Sequence, residues 1–390
     1  MEEAGFIMGF LEIILYFMIA SVIGVYAGYP VLLALIGTIK RNKFVKADII
    51  PDVTVIIAAY NEENSIKEKL KNTLDLDYPE NKLEVLVASD GSTDTTGEIV
   101  KSFNDPRVRF LDFPERKGKT HVQNEAVKEA RGSIIVFSDA TTEYNKELIR
   151  KIVRNFADPS VGAVGAELIY VNKKKTSVGE GGGLYWKYEK FLKKKESSIN
   201  SLIGVSGCCY AIRKKLYEPL DPQLISDFVI AQFVYKKGKK TVYEPEAVTY
   251  EETCYTTREE FDMRLRVAVR TLNGLWYMRA LLNPSRYGFF SVQLFFHKIM
   301  RYMIPVFMLV ILADSILLAV AGTGYVSRIM IITEMMFYIA ALLGGITQSR
   351  LKLFYIPYYF CMTNYALLIA IIKFMGGEKK VLWDPLRGNE

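Results

Sequence analysis

The residues best suited to chemistry in this sequence are acids that follow apolar runs, and a basic turn. Leu83 to Ser89 leads into Asp90-Gly91-Ser92-Thr93-Asp94, and Ser133 to Ser138 leads into Asp139-Ala140-Thr141. Ligands of open α/β sheets bind at the carboxyl ends of strands, so acids placed there face a ligand. Ser92 or Thr93 is explained by helix capping alone, whereas Asp90 precedes the glycine and can reach hydrogen-bond donors on a ligand. Arg116-Lys117-Gly118-Lys119 precedes a helical pattern beginning near Thr120, and cations at a helix start favour a diphosphate. Acidic strand ends beside a basic turn suit a metal-assisted nucleotide diphosphate.

Farther along, Asp227 follows Ile225 at the start of a helical segment. Arg264, Arg266, Arg270 and Arg279 lie on a long helical stretch, Arg258 to Leu282. These arginines either neutralise a leaving phosphate or are solvated, and solvation is the expectation for Arg264 and Arg279.

These groups must be positioned by a mostly parallel sheet covered by helices, because short β-rich runs alternate with helical patterns between Asp52 and about Asn283. Val53 to Tyr60 is almost continuously apolar, as in a strand buried on both faces. A helix follows from Ser65 to about Leu74. Further strands are expected at Val108 to Leu111 and Gly204 to Ile212, with a helix from about Thr120 to Ala130.

Half of the 390 residues are hydrophobic and 24% are charged, and the two classes are segregated. The net charge of +7 includes lysine runs at Lys173 to Lys175, Lys193 to Lys195 and Lys236 to Lys240. No base-stacking aromatics interleave them, which argues against a nucleic-acid partner. Solvated faces or contact with anionic membrane lipid account for them. Cys208, Cys209, Cys254 and Cys361 lack metal-ligand spacing, and the vicinal pair points to opposite sides of a strand.

Phe6 to Ile39 is apolar apart from Glu12 and is followed by Lys40, Arg41 and Lys43. It exceeds a signal-peptide core and predicts one long membrane-spanning helix, with a hairpin at Gly28 to Pro30 as the alternative. Three more spans are expected at Tyr302 to Ala321, Ile329 to Ile346 and Leu353 to Phe374, each near the roughly 20 residues a crossing needs. Tyr287 to Arg301 mixes aromatics with His297, Lys298 and Arg301, which predicts an amphipathic interface helix with His297 structural or lipid-facing. The basic flank at Lys40 to Lys46 places the middle domain in the cytoplasm of a plasma-membrane protein. Three further crossings put the C-terminus outside, whereas Lys373, Lys379, Lys380 and Arg387 favour the inside, so either one apolar stretch is re-entrant or the charge rule fails at this end.

The ordered set Val55 to Glu63, Ser89 to Asp94, Gly118-Lys119 with Asn124, Ser138 to Thr141, Ser206 to Arg213 and Ile225 to Asp227 resembles the family 2 glycosyltransferases. Specifically, it resembles the membrane-integrated branch that includes hyaluronan, chitin and cellulose synthases. The resemblance implies an α/β GT-A fold, the Rossmann-like fold of nucleotide-diphospho-sugar transferases, joined to transmembrane helices. Ala59, Tyr60 and Glu62 then line the nucleotide pocket, Asp90 holds the base or ribose, and Lys119 and Arg270 lie near the diphosphate. Asp139 belongs to the metal motif, which implies a divalent cation, Mg²⁺ or Mn²⁺. Asp227 matches the catalytic base, which takes the proton of the attacking acceptor hydroxyl in an inverting transfer. Cys208 and Trp276 are the acceptor-side candidates.

Two departures stand out. The usual second acid of the metal motif is Thr141, and the Gln-x-x-Arg-Trp motif of processive members is reduced to Val267-Ala268-Val269-Arg270-Thr271. The expected organisation is a membrane helix and flank over 1–46, a GT-A domain over 47–283, an interface helix over 284–301, membrane helices over 302–375 and a polar tail over 376–390. The expected activity moves a sugar from a nucleotide-diphosphate donor, a UDP-sugar, to a polysaccharide or glycolipid at the membrane. Single transfer to a polyprenyl phosphate and a non-catalytic nucleotide-sugar-binding scaffold are the alternatives.

Overall fold

The computed structural model describes residues 2–172, 177–254, 256–322 and 325–379. The Lys173 to Lys175 run and most of the polar tail, with Lys380 and Arg387, lie outside them.

Among the described residues eight strands form one sheet: β1 (Val53–Ala59), β2 (Leu83–Asp90), β3 (Val108–Phe113), β4 (Ile134–Asp139), β5 (Glu143–Tyr144), β6 (Val161–Val171), β7 (Cys209–Arg213) and β8 (Lys240–Glu252). Their order is β3-β2-β1-β4-β7-β6-β8-β5. The first four are parallel, whereas β7 runs antiparallel to both β4 and β6, so the sheet is mixed across its second half.

The alternation of side chains along a strand builds two cores at once. From β1, Val53, Val55, Ile57 and Ala59 join one buried cluster with Ile66 and Leu70 of the helix Ile66–Leu74. Ile56 and Ala58 join the opposite cluster with Val122 of the helix Lys119–Glu129 and Val229 of the helix Ser226–Lys236. Register then aligns the strand ends, with Ala59 opposite Ser89 and Ala58 opposite Asp139. The acids of β2 and β4 therefore emerge at one edge.

The expected strand at Gly204 begins only at Cys209. Two glycines before it pass close to the helix Ser226–Lys236: a Cβ on Gly204 would lie 2.9 Å from the Phe228 ring, and one on Gly207 2.7 Å from the Asp227 carboxylate.

Among the described residues four helices are long and apolar enough to cross a membrane: Phe6–Ile39, Phe289–Val320, Tyr325–Thr347 and Lys352–Met375. The first stays continuous past Pro30 because Gly24–Gly28 forms a π-helical turn, in which Tyr29 N–H donates to Gly24 C=O. Exposed Phe17, Leu35, Val320, Ile346 and Met375 invert the usual rule for a surface, as lipid-facing helices do. Leu265, Ala268 and Val269 of the helix Thr257–Tyr277 pack on Ala366 and Ala370, which fixes the last membrane helix to the sheet domain.

The separate interface helix expected over 284–301 is not what forms. After the short helix Pro284–Tyr287, Gly288 turns with φ +57°, and residue 289 begins a helix continuous to Val320. The basic side meets acids inside the protein: His297 lies 3.1 Å from Glu189 and 2.7 Å from Glu196, and Arg301 pairs with Glu189. Both glutamates come from the helix Ser177–Ile199, so His297 is buried and faces protein, not lipid.

Candidate active site

The loops after β1 and β2 are laced together by polar side chains. Asn61, left-handed at φ +51°, accepts from Thr93 N–H at 2.8 Å, and Ser92 Oγ accepts from Asn61 N–H at 3.1 Å. Asp94 accepts from Glu63 N–H, and Thr96 Oγ1 from Glu62 N–H. Ser92, Thr93 and Asp94 are thus occupied in shaping the edge. Glu62 is buried there, and burial pushes its carboxyl up to about 7 against the Ser65 hydroxyl that donates to it.

Asp90 is fully buried, and its carboxylate accepts from Lys117 N–H at 2.8 Å and Gly118 N–H at 2.9 Å. Both oxygens are engaged, so Asp90 holds the basic turn in place. Gly118 sits at φ +95° and launches the next helix, which sends Lys119 inward to an ion pair with Asp139 at the end of β4. Burial alone lowers the Lys119 ammonium, but Asp139 and then Asp227 outweigh it and raise its pKa.

Asp227 stands in the first turn of its helix, where the helix dipole favours an anion. Its Oδ1 accepts from Phe228 N–H at 2.7 Å. Burial raises its pKa, against the pull of Lys119 and Arg270. Asn124 anchors the approach to it: its amide donates to Leu220 C=O at 2.7 Å and accepts from Leu220 N–H and the Tyr217 hydroxyl. Arg270 is buried and donates to Leu224 C=O at 2.9 Å and Thr120 Oγ1 at 3.3 Å, while its Nε has no hydrogen-bond partner among the described residues.

Glu62, Lys119, Asp139, Thr141, Cys208, Asp227 and Arg270 all line one cavity of about 570 Å³. Its far wall is made by the helix Ser177–Ile199 and by Tyr26, His297, Arg301, Phe360 and Asn364 of three membrane-spanning helices. The cavity therefore runs from the sheet edge to the membrane helices. Cys208 faces it and donates to Glu251 Oε2 at 2.8 Å, while Cys209 faces the core. Ala59 is buried, and Tyr60 lies outside the cavity beneath the Arg116 guanidinium, 3.7 Å from its ring centroid.

Two expectations are corrected. Trp276 does not line the cavity; it is 62% exposed and carries the Arg279 guanidinium 4.8 Å from its ring. Its position on the helix turns it away from Arg270. Arg264 is not solvated but pairs with buried Glu260, donates to the Tyr359 hydroxyl and lines the cavity.

The sequence reading missed the helix Ser177–Ile199, whose Tyr185, Glu189 and Lys193 face the cavity. It also missed Lys69, which is buried, donates to Thr142 C=O at 2.6 Å and lies 3.2 Å over the Tyr144 ring, bracing the turn after Asp139. On an amphipathic helix among Lys67 and Lys71, nothing local marks it.

Among the described residues no three His, Cys, Asp or Glu side chains gather to hold a metal by themselves. Asp139 is the carboxylate available at the strand end. That donor set fits a cation held by one protein carboxylate together with substrate phosphates, the usual manner of Mg²⁺ at nucleotide sites.

Residues 54–220 match Glycosyl transferase family 2. The probable glycosyltransferase YdaM of Bacillus subtilis (strain 168) is 29% identical over 244 residues, covering 56% of this chain and 55% of that protein. The poly-beta-1,6-N-acetyl-D-glucosamine synthase of Staphylococcus aureus is 26% identical over 251 residues, covering 62% and 56%. The chain thus spans just over half the length of these curated relatives. Mannosyltransferase PcManGT from Pyrobaculum calidifontis, solved with GDP-Man and Mn²⁺, superposes with a TM-score of 0.72 over 95% of this chain and all of that one, at 22% identity. That likeness bears on the fold. The mixed sheet with acids at one edge has the GT-A fold, joined to helices long and apolar enough to cross a membrane. Within this fold, residues 54–220 are the part of the chain that is similar to family 2 glycosyltransferases.

Proposed function

We propose that the chain catalyses inverting transfer of a sugar from a nucleotide-diphosphate donor to an acceptor, a polysaccharide or glycolipid, that enters from the membrane. The observation that carries this is the single cavity in which Asp227, the Lys119–Asp139 pair and Arg270 meet and which opens onto the membrane helices. Asp227 takes the proton of the acceptor hydroxyl as that oxygen attacks the anomeric carbon, and burial makes it a stronger base than an ordinary aspartate. Lys119 and Arg270 counter the charge that develops on the departing diphosphate. Asp139 would hold a divalent cation, which when bound supplies further neutralisation of that diphosphate. Asp90 acts on the donor side through the Lys117-Gly118 turn it holds.

The donor is proposed to be a UDP-sugar, with the catalytic domain in the cytoplasm where such donors occur. PcManGT was solved with GDP-Man, so UDP- and GDP-sugars both belong in the test. Purified protein is incubated with each sugar and Mg²⁺ or Mn²⁺, and released nucleoside diphosphate is measured. Asp227→Asn is expected to abolish acceptor-dependent release while the protein stays folded. Wild-type rates in that variant would reject the assignment of the base.

A further inference from the structure

Most cations of the cavity are already engaged. Arg264 pairs with Glu260 and Arg301 with Glu189, while Lys119, held by Asp139, and Arg270, held by Leu224 C=O and Thr120, are assigned to the donor diphosphate. Lys193 and Lys298 are different. Both line the cavity, and among the described residues neither has an acid within salt-bridge distance.

Their positions are set by other contacts. Lys298 Nζ lies 5.6 Å from the ring centroid of Phe228, the residue after Asp227. Lys193 Nζ lies 4.4 Å over Trp186, whose indole N–H is tied to Leu168 C=O at 2.6 Å. Lys193 comes from the helix Ser177–Ile199 and Lys298 from the helix that continues into the membrane. Burial is the main cause that lowers the Lys193 ammonium, Glu189 opposes it, and Lys298 lowers it further. Two partly buried ammonium groups that line one cavity with no acid in salt-bridge distance are stabilised by an anion that enters it. On the membrane side the same cavity is lined by Tyr26, Ile356, Phe360 and Leu367, surfaces suited to a hydrocarbon chain.

We infer that Lys193 and Lys298 bind a phosphate carried by a lipid acceptor and present that acceptor's sugar hydroxyl to Asp227. The inference rests on Asp227 being the base. A bare lipid phosphate attacking through its own oxygen has no proton to surrender at neutral pH and leaves Asp227 idle. A phosphate used as a handle leaves the hydroxyl as nucleophile. Its oxygen forms the new bond to the anomeric carbon, the bond to the diphosphate breaks, the proton passes to Asp227 and the electron pair leaves with the nucleoside diphosphate.

The test is binding in detergent, with farnesyl phosphate, farnesol and inorganic phosphate as probes and Trp186 beneath Lys193 as a fluorescent reporter. Wild-type protein should bind farnesyl phosphate at least about tenfold more tightly than either of the others, the scale of one charge-assisted hydrogen bond. Lys193→Gln and Lys298→Gln should each weaken farnesyl phosphate roughly tenfold and leave farnesol unchanged. Arginine at either position should restore it. Farnesol or inorganic phosphate binding as tightly as farnesyl phosphate in the wild type overturns the inference, as do two glutamine variants with undiminished affinity. The base is read separately: Asp227→Asn should lose turnover yet still bind farnesyl phosphate.

Discussion

Gly207→Ala tests the placement of Asp227 without touching its chemistry. A Cβ at position 207 would lie 2.7 Å from Asp227 Oδ2 and 3.6 Å from Lys119 Nζ. Carbon and oxygen settle at about 3.3 Å or more, so the carboxylate must retreat by about 0.6 Å. The two segments cannot separate to relieve the clash, because Val205 N–H donates to Asp227 C=O at 3.1 Å. Misplacement by 1 Å costs on the order of a hundredfold, so 0.6 Å should lower kcat roughly tenfold, or about 1.4 kcal/mol in the barrier. The strain falls on one side-chain rotamer, and Tm should move little. The assay is acceptor-dependent release of nucleoside diphosphate, with KM for the donor measured alongside. Gly132→Ala is the contrast: its Cβ would lie 2.4 Å from Thr54 N, a backbone atom of β1, so that variant should lose Tm first. A Gly207→Ala protein that folds normally and keeps wild-type kcat would refute the placement of Asp227 at the reacting centre.

Other consequences follow from the same geometry. Asp90→Asn replaces an acceptor with a donor beside Lys117 and Gly118 N–H, which should cost about 1–3 kcal/mol in chemical denaturation and raise the donor KM. Because Asp227 must be ionised to act and burial raises its pKa, kcat/KM should fall with decreasing pH at an apparent pKa above that of an ordinary aspartate. Lys119→Met should move that limb to higher pH, and a limb that stays in place would contradict the coupling between the two. Burial holds Lys69 at about 7, below its ordinary 10.5. The unfolded chain therefore binds the extra proton between those values, and the Lys69 contribution should grow more favourable as pH rises from 7 to 10.5. Relative to Lys69→Met, wild-type Tm should climb across that window; parallel curves would show that Lys69 is not titrating.

The parallel half of the sheet was legible because β1, β2 and β4 are short apolar runs that stop at polar residues, and burial on both faces requires just that pattern. Asp139, Lys119 and Asp227 could be singled out by their places at strand ends and helix starts. The antiparallel half was harder. Gly204 to Cys208 is as apolar as a strand, but the close passage of Asp227 and Phe228 keeps it from pairing. The helix Ser177–Ile199 carries charges that look solvated in sequence; its Glu189 and Glu196 are buried only because His297 and Arg301 meet them from about a hundred positions away.

By itself the sequence determined the two environments of this chain, a GT-A sheet with acids at its edge and four lengths of apolar helix, since hydrophobic period and run length are local properties. Only the tertiary structure decided what faces the cavity. It turned Trp276 out, committed Asp90 to a backbone turn, buried Lys69 beneath the Asp139 loop and, among the described residues, left Lys193 and Lys298 with no acid in salt-bridge distance. Those outcomes depend on which distant charge or carbonyl is near enough to satisfy each side chain, and no spacing along the chain records that.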